Sequence, residues 1–215
     1  PHIAQRFADL GIHAVAVNNY PMLGELDVLE ADWSTKKDQF CYVGGLSTIR
    51  GAQEMVDAAG HSGIPLHIAG PFSPASLKDE VLARPGAAHV RCLGILDRPA
   101  VAALLGDSLA GIVVFSEQPN HVTAQPNKLF EYLAGGIPVI ASHFPMWRTL
   151  VEGEDVGLCV DPADPQAIAQ AMQTLANDRE RAQAMGQRGQ ALVRERCNWQ
   201  VEEQTLIALY ERLLT

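Results

Sequence analysis

Six short, almost wholly apolar runs, alternating with segments of helical spacing, restrict the folds open to this chain more than any other feature. The runs are Phe40–Val43, Leu66–Ala69, His89–Leu93, Ile112–Phe115, Val139–Ala141 and Leu158–Val160. Helical stretches lie near 49–60, 75–83, 98–106, 127–134 and 144–151. Strands apolar on both sides must be covered on both faces, and their alternation with helices argues for a parallel sheet. The pattern predicts an α/β fold, a Rossmann-like doubly wound parallel sheet that binds ligands outside the carboxyl ends of its strands.

The flanks read differently. Residues 2–10 have helical spacing, Ile12–Val17 has the look of a short strand, and Asn18–Pro21 turns the chain. Residues 22–38 carry Glu25, Asp27, Glu30, Asp32 and Asp38 with little periodicity, which suits a linker better than a core. Residues 165–214 are expected to be helical. Asp164-Pro165 opens one helix to about Asn177, a second runs from about Asp178 to Arg196, and Asn198 caps the last. That last helix is expected to bury Val201, Leu206, Leu209 and Leu213.

A length of 215 residues suffices for one good core, and 47% apolar with 19% charged residues is ordinary for a globular protein. The net charge of −9 argues against nucleic acid as a partner, so phosphate binding has to be local. No apolar run reaches the roughly 20 residues of a membrane span, and the opening at Pro1 resembles neither a signal peptide nor a natural start, so the chain reads as a fragment. Cys41, Cys92, Cys159 and Cys197 show no CxxC spacing, which favours a reducing, cytoplasmic setting. The histidines form no ligand pair, so no metal site is expected; His121 and His143 lie nearest the motif described next.

The run Gln125–Ser142 concentrates the chemistry. Pro126 suits the first turn of a helix, where its missing N–H is no loss. The backbone N–H groups of Asn127, Lys128 and Leu129 are then left at the positive end of that helix, a ready anion site. Glu131 follows one turn later on the same face. Gly135-Gly136 end the helix and Pro138–Ala141 reads as a buried strand. A diphosphate at the helix tip, with Glu131 beside an attached ribose, fits this arrangement; favourable pairing of an early glutamate with the helix dipole is the plainer alternative. Tyr42–Gly51 adds a glycine pair after the first strand, and Arg50 to clamp a phosphate. It matches neither a GxGxxG nor a Walker A loop. Ile68–Pro71 and Leu93–Leu96 are further glycine-bearing strand ends. Adjacent parallel strands would gather all of these at one edge.

The segments YVGGLSTIRG (42–51), HVRCLGILDR (89–98) and QPNKLFEYLAGGIPVIASHFPMWRTLVE (125–152), in that order, resemble the C-terminal domain of nucleotide-sugar-dependent retaining glycosyltransferases of the GT-B fold, the glycosyl transferases group 1 type. The resemblance covers about residues 38–214 and implies the following. Residues 1–20 would be a remnant of the N-terminal domain, 21–38 the interdomain linker, 39–197 the donor-binding domain, and 198–215 a helix packing back toward the N-terminal domain. Gly44 and Gly45 would lie against the donor diphosphate and Arg50 would neutralise it. Gly94, Ile95 and Leu96 would hold the base; Asn127, Lys128 and Leu129 would cradle phosphate; Glu131 would accept from the ribose hydroxyls. Many relatives carry glutamates eight positions apart, the first of which is Thr123 here, with Glu117 a little earlier. Many also have arginine where this chain has Gly45. The implied substrate is a nucleotide diphosphate sugar and the implied acceptor a glycan or lipid-linked molecule, with no cofactor or obligatory metal. Catalytic residues of the acceptor side would lie in the N-terminal domain, which would also make any contact with the inner face of a membrane, and this half alone would be inactive. A nucleotide-sugar epimerase of the same fold and a catalytically degenerate binding module are the other readings.

Overall fold

The computed structural model describes residues 2–26 and 33–214. A six-stranded parallel sheet forms from β1 (Phe40–Val43), β2 (Leu66–Ala69), β3 (Val90–Gly94), β4 (Ala110–Val113), β5 (Val139–Ser142) and β6 (Gly157–Val160), in the order β3-β2-β1-β4-β5-β6. The order reverses direction between β1 and β4. At such a switch point the loops leaving the two strands part in opposite directions and open a crevice at their carboxyl ends.

Alternation along each strand sends successive side chains to opposite faces. Phe40, Tyr42, Leu66, Ile68, Ile112 and Ile140 pack under α2 (Ala52–Ser62) and α7 (Pro165–Asn177). Cys41, Ala69, Val113, Val139 and Ala141 pack under α4 (Arg98–Asp107), α5 (Asn127–Ala134), α6 (Pro145–Val151) and α8 (Arg179–Glu195). The helix α3 (Leu77–Leu82) completes the crossover from β2 to β3. Asp164 and Asp178 cap α7 and α8 through their side chains, and Asn198 Oδ1 accepts from the Val201 N–H at 3.1 Å to start α9 (Trp199–Leu214).

Four expectations need correction. First, β4 lies two residues earlier than its apolar run suggests, because the Ser142 hydroxyl ties both backbone groups of Phe115, at 2.8 and 3.0 Å, outside the ladder. Second, Ile12–Val17 is not a strand: the segment has no ladder partner among the described residues and no regular secondary structure after α1 (His2–Ala8). Third, the linker is partly core. Leu26, Trp33 and Lys36 are buried, and the Lys36 ammonium donates to the carbonyls of Leu105, Gly106 and Ser108 at 3.1, 3.0 and 2.9 Å, closing the end of α4. Residues 27–32 of that linker lie outside the described residues. Fourth, α9 exposes Val201 (42%) and Leu213 (71%), with Leu206 and Leu209 only half-covered. Its buried residue is Glu202, whose carboxylate accepts from the Asn18 backbone and side-chain N–H groups, both at 2.8 Å.

Candidate functional site

The crevice begins where β1 and β4 stop pairing. Their ladder holds Phe40 to Ala110 and Cys41 to Gly111 and then ends. The Val43 N–H donates instead to the buried Tyr132 hydroxyl of α5, at 2.7 Å. Tyr132 reaches that position only because residue 111 is glycine; a Cβ there would lie 2.1 Å from the ring. Thus α5 is docked tightly against the switch point, with its first turn at the mouth of the crevice.

Lys128 projects from that turn into the crevice. Its Nζ lies 3.7 Å from the Tyr42 ring centroid and 5.6 Å from that of Phe115, is cut off from solvent, and has no hydrogen-bond partner. The two ring faces attract the ammonium but accept no hydrogen bond from it. Burial, and secondarily the nearby Arg50, push the Lys128 pKa down to about 7, with Glu131 opposing. Gly44 covers the ammonium. Its φ of +126° belongs to glycine, and a Cβ would stand 3.0 Å from Nζ. The Gly45 carbonyl accepts from the Tyr42 hydroxyl at 2.7 Å and from Arg50 Nη1 at 3.1 Å. Arg50 is exposed, with its guanidinium carbon 5.9 Å from the Phe115 centroid. It ends a short 3₁₀ turn, Thr48–Arg50, and Gly51 separates it from α2, so it precedes that helix although the helical spacing near 49–60 would include it. Gly44, Gly45 and Arg50, from one loop, and Lys128, remote from them in sequence, are therefore neighbours around one small volume with two cationic side chains.

At the tip of α5 one expectation is revised. Pro126 is the N-cap, with extended backbone, and its carbonyl accepts from the Leu129 N–H at 3.0 Å. Leu129 is buried and its N–H is already engaged, leaving Asn127 and Lys128 as the open first turn. Thr123 is half-buried in the turn before the helix, while Glu117 is exposed in the loop after β4. His121 is buried against Phe115, ring centroids 5.0 Å apart, with Nδ1 3.0 Å from the Ser116 carbonyl. His143 is exposed, and its Nδ1 lies 3.0 Å from the Val160 carbonyl.

Beyond the crevice lies a cleft of ≈ 310 Å³ bordered by Asn127, Glu131, Arg98, Glu25, Tyr20 and Trp199. Glu131 faces it but is not alone. Arg98 Nη1 donates to Glu131 Oε1 at 2.7 Å, and Arg98 Nη2 to Glu25 Oε2 at 2.6 Å. Partial burial disfavours the Arg98 charge, but both carboxylates outweigh it and raise its pKa. Arg98 and Glu25 are site residues that sequence reasoning missed, although Arg98 directly follows Gly94-Ile95-Leu96-Asp97 and starts α4. Gly94 closes β3 and its carbonyl accepts from the Gly70 N–H at 2.7 Å; Ile95 is 81% exposed and Leu96 is partly packed in the core. This loop sits two strands from β1, about 10 Å along the sheet edge.

Chemically, the edge offers three stations in a row. A buried and a surface cation stand at the switch point, an acceptor-only carboxylate one helical turn away, and an exposed apolar loop two strands over. A flat apolar group, a polyol and a polyanion joined in that order would complement them. Among the described residues no group of three or more His, Cys, Asp or Glu converges as a metal site.

The sequence model of the family described as "Glycosyl transferases group 1" matches residues 29–192. No curated protein matches the chain significantly by sequence. Among solved structures, HepE from Anabaena, in complex with UDP, superposes with a TM-score of 0.79 at 16% identity, over 97% of this chain and 61% of HepE. A sucrose-phosphate synthase from Thermosynechococcus elongatus gives 0.74 at 20% identity, over 98% of this chain and 56% of the synthase. The C-terminal domain of a glycosyl transferase group 1 family protein, LpcC of Francisella tularensis, gives 0.65 at 18% identity, over 83% of this chain and 95% of that domain. At these identities the superpositions establish a shared fold. The chain spans less than two thirds of HepE and of the synthase.

Proposed function

Since this chain belongs to the group 1 glycosyl transferases, we propose that it forms the donor-binding half of an enzyme that moves a sugar, of the hexose type, from a nucleotide diphosphate sugar to a glycan or lipid-linked acceptor with retention. The observation that carries this reading is the Lys128 ammonium, buried without a partner beneath Gly44 at the switch point. A buried, unpaired cation is costly, and a diphosphate is the ligand that would repay it.

On this reading Gly44, Gly45, Arg50, the Lys128 side chain and the open first turn of α5 receive the diphosphate. Glu131 accepts from the ribose, and Gly94, Ile95 and Leu96 border the base. When the sugar–phosphate bond breaks, negative charge grows on the departing diphosphate. Arg50, Lys128 and the α5 terminus are fixed beside it beforehand, so its stabilisation needs little reorganisation. The role falls to protein cations and calls for no metal. Thr123 takes the position of the first of the family's paired glutamates, near the donor sugar, without the charge of a glutamate.

Residues 1–20 and the helix 198–215 are assigned to the junction with an acceptor-binding N-terminal domain. In support, the Trp199 N–H donates to the Pro21 carbonyl at 2.9 Å, and α9 presents Val201, Ile207, Tyr210, Leu213 and Leu214 outward. The acceptor would bind in that domain, so the 215-residue chain alone would not transfer sugar. No described helix is long and apolar enough to cross a membrane; action in the cytoplasm, at the membrane's inner face when the acceptor is lipid-linked, is part of the proposal.

Calorimetric titration of the intact protein with UDP, GDP and ADP, and with their sugars, tests the reading. Micromolar-to-millimolar binding of at least one is expected, weakened tenfold or more by Glu131→Ala, about 1.4 kcal/mol per tenfold. Absence of binding by every nucleotide would sink the reading; unchanged affinity in the variant would remove Glu131 from the site. Epimer formation without acceptor would replace transfer by epimerisation.

A further inference from the structure

We propose that Arg98 is a positioning residue for the ribose end of the donor site, holding the Glu131 carboxylate by one oxygen and presenting the other to the ligand. The inference rests on the donor-site reading above and extends it to a residue outside that set. An ionised carboxylate has about four acceptor positions. Arg98 Nη1 takes one of them, on Oε1 at 2.7 Å, and Oε2 carries no hydrogen bond among the described residues.

Arg98 is itself fixed from both sides. Asp97 caps α4 through a 2.9 Å bond from the Ala100 N–H, so the guanidinium springs from a rigid helix start only two residues beyond Leu96. The second arm of its fork is held by Glu25 at 2.6 Å, in the segment that walls the same cleft. Arginine carries its donors in a planar, fixed fork, which suits it to joining carboxylates on two elements at once. One side chain thereby sets the spacing between the loop 94–96 and the carboxylate on α5. Without it, the Glu131 carboxylate would lose its orientation.

The test compares UDP, GDP and ADP with their 2′-deoxy forms, titrated into the intact wild type, Arg98→Met, Glu131→Gln and the double variant. Wild type is expected to prefer the ribose form. Arg98→Met should weaken the ribose form about three- to tenfold, the worth of one or two hydrogen bonds, and change the deoxy form by less than about twofold. It should add nothing in the Glu131→Gln background, since the two act as one unit. Should Arg98→Met fail to fold, Arg98→Lys, which keeps the charge and loses the fork, should narrow the ribose preference partway. Equal losses for ribose and deoxy forms, additive effects, or tighter ribose binding would overturn the role of Arg98 and leave the donor reading intact. If wild type binds no nucleotide, the donor reading itself fails and this inference with it.

Discussion

Lys128 and Glu131 are one helical turn apart on α5, yet they belong to regions built in opposite ways. The lysine ammonium is buried over two aromatic rings, capped by a glycine and left without a hydrogen-bond partner. The glutamate is partly accessible, at the edge of a cleft, and tied to an arginine that also holds a second carboxylate. At the crevice, position is set by close packing of backbone and rings, and one charge is left without a hydrogen-bond partner. At the cleft, position is set by ion pairs between three separate elements, which solvent and salt can loosen. On the proposed function, the phosphate end is therefore expected to be rigid and sensitive to shape, the ribose end adjustable and sensitive to charge.

The comparison breaks most severely at Gly44. Replacement by valine forces a β-branched residue into a glycine backbone conformation and drives a Cβ against Lys128 Nζ. Nucleotide binding should fall by a hundredfold or more in titrations, and the strain should cost about 1–3 kcal/mol of stability in denaturant melts. A valine variant with normal binding would show that the crevice is soft. Lys128→Met separates binding from stability. It removes a buried, unpaired ammonium, so the melting temperature should hold or rise, while diphosphate affinity drops about ten- to a hundredfold, the range of a charged hydrogen bond or slightly more. Loss of both together would mean that the lysine is a structural element only. Arg50→Ala should cost about three- to tenfold in affinity at low salt, a loss that shrinks as salt is added, because this cation is exposed; an effect as large as that of Lys128→Met would contradict the contrast between the two cations.

The smallest effect is on pH. Lys128 has a pKa near 7 in the fold, against 10.5 when unfolded. Between these values the unfolded chain binds more protons, so stability should rise as pH goes from about 7 toward 10.5. Binding a diphosphate favours the ammonium, and a nucleotide sugar, whose phosphates do not titrate there, should bind a few-fold more weakly at pH 9 than at pH 7, with proton uptake measurable in buffers of different ionisation enthalpy. Lys128→Met should flatten both trends. Parallel slopes in variant and wild type would assign the titration to another group.

How much of this was visible in the chain depends on the range of the interactions concerned. The short apolar runs and their helical spacers announce the parallel sheet, since burial on both faces leaves its mark on every residue of a strand. The caps Asp164 and Asn198 are legible for the same reason: a cap bonds to residues two or three positions away. The α5 tip, with Asn127, Lys128 and Glu131, is equally local. Leu129 escaped because the turn closed through Pro126, a shift of a single hydrogen bond. The end of β4 was misplaced because Ser142, on the neighbouring strand, competes for Phe115. Glu202, a charge buried on α9, and Lys36, buried in an acidic stretch, gave no local sign, since their partners Asn18 and the carbonyls closing α4 are remote in sequence.

By itself, then, the sequence determined the elements of the sheet and its covering helices, their parallel arrangement, the family and the open first turn of α5. Those follow from periodicity and from contacts within a few residues. Only the tertiary structure decided that Lys128 is buried and unpaired under Gly44, and that Arg98 and Glu25 complete the surroundings of Glu131. Those facts depend on which strands lie side by side and on where three loops end in space. The crevice exists because β1 and β4 are neighbours, a pairing formed across about seventy residues by hydrogen bonds that carry no side-chain signature.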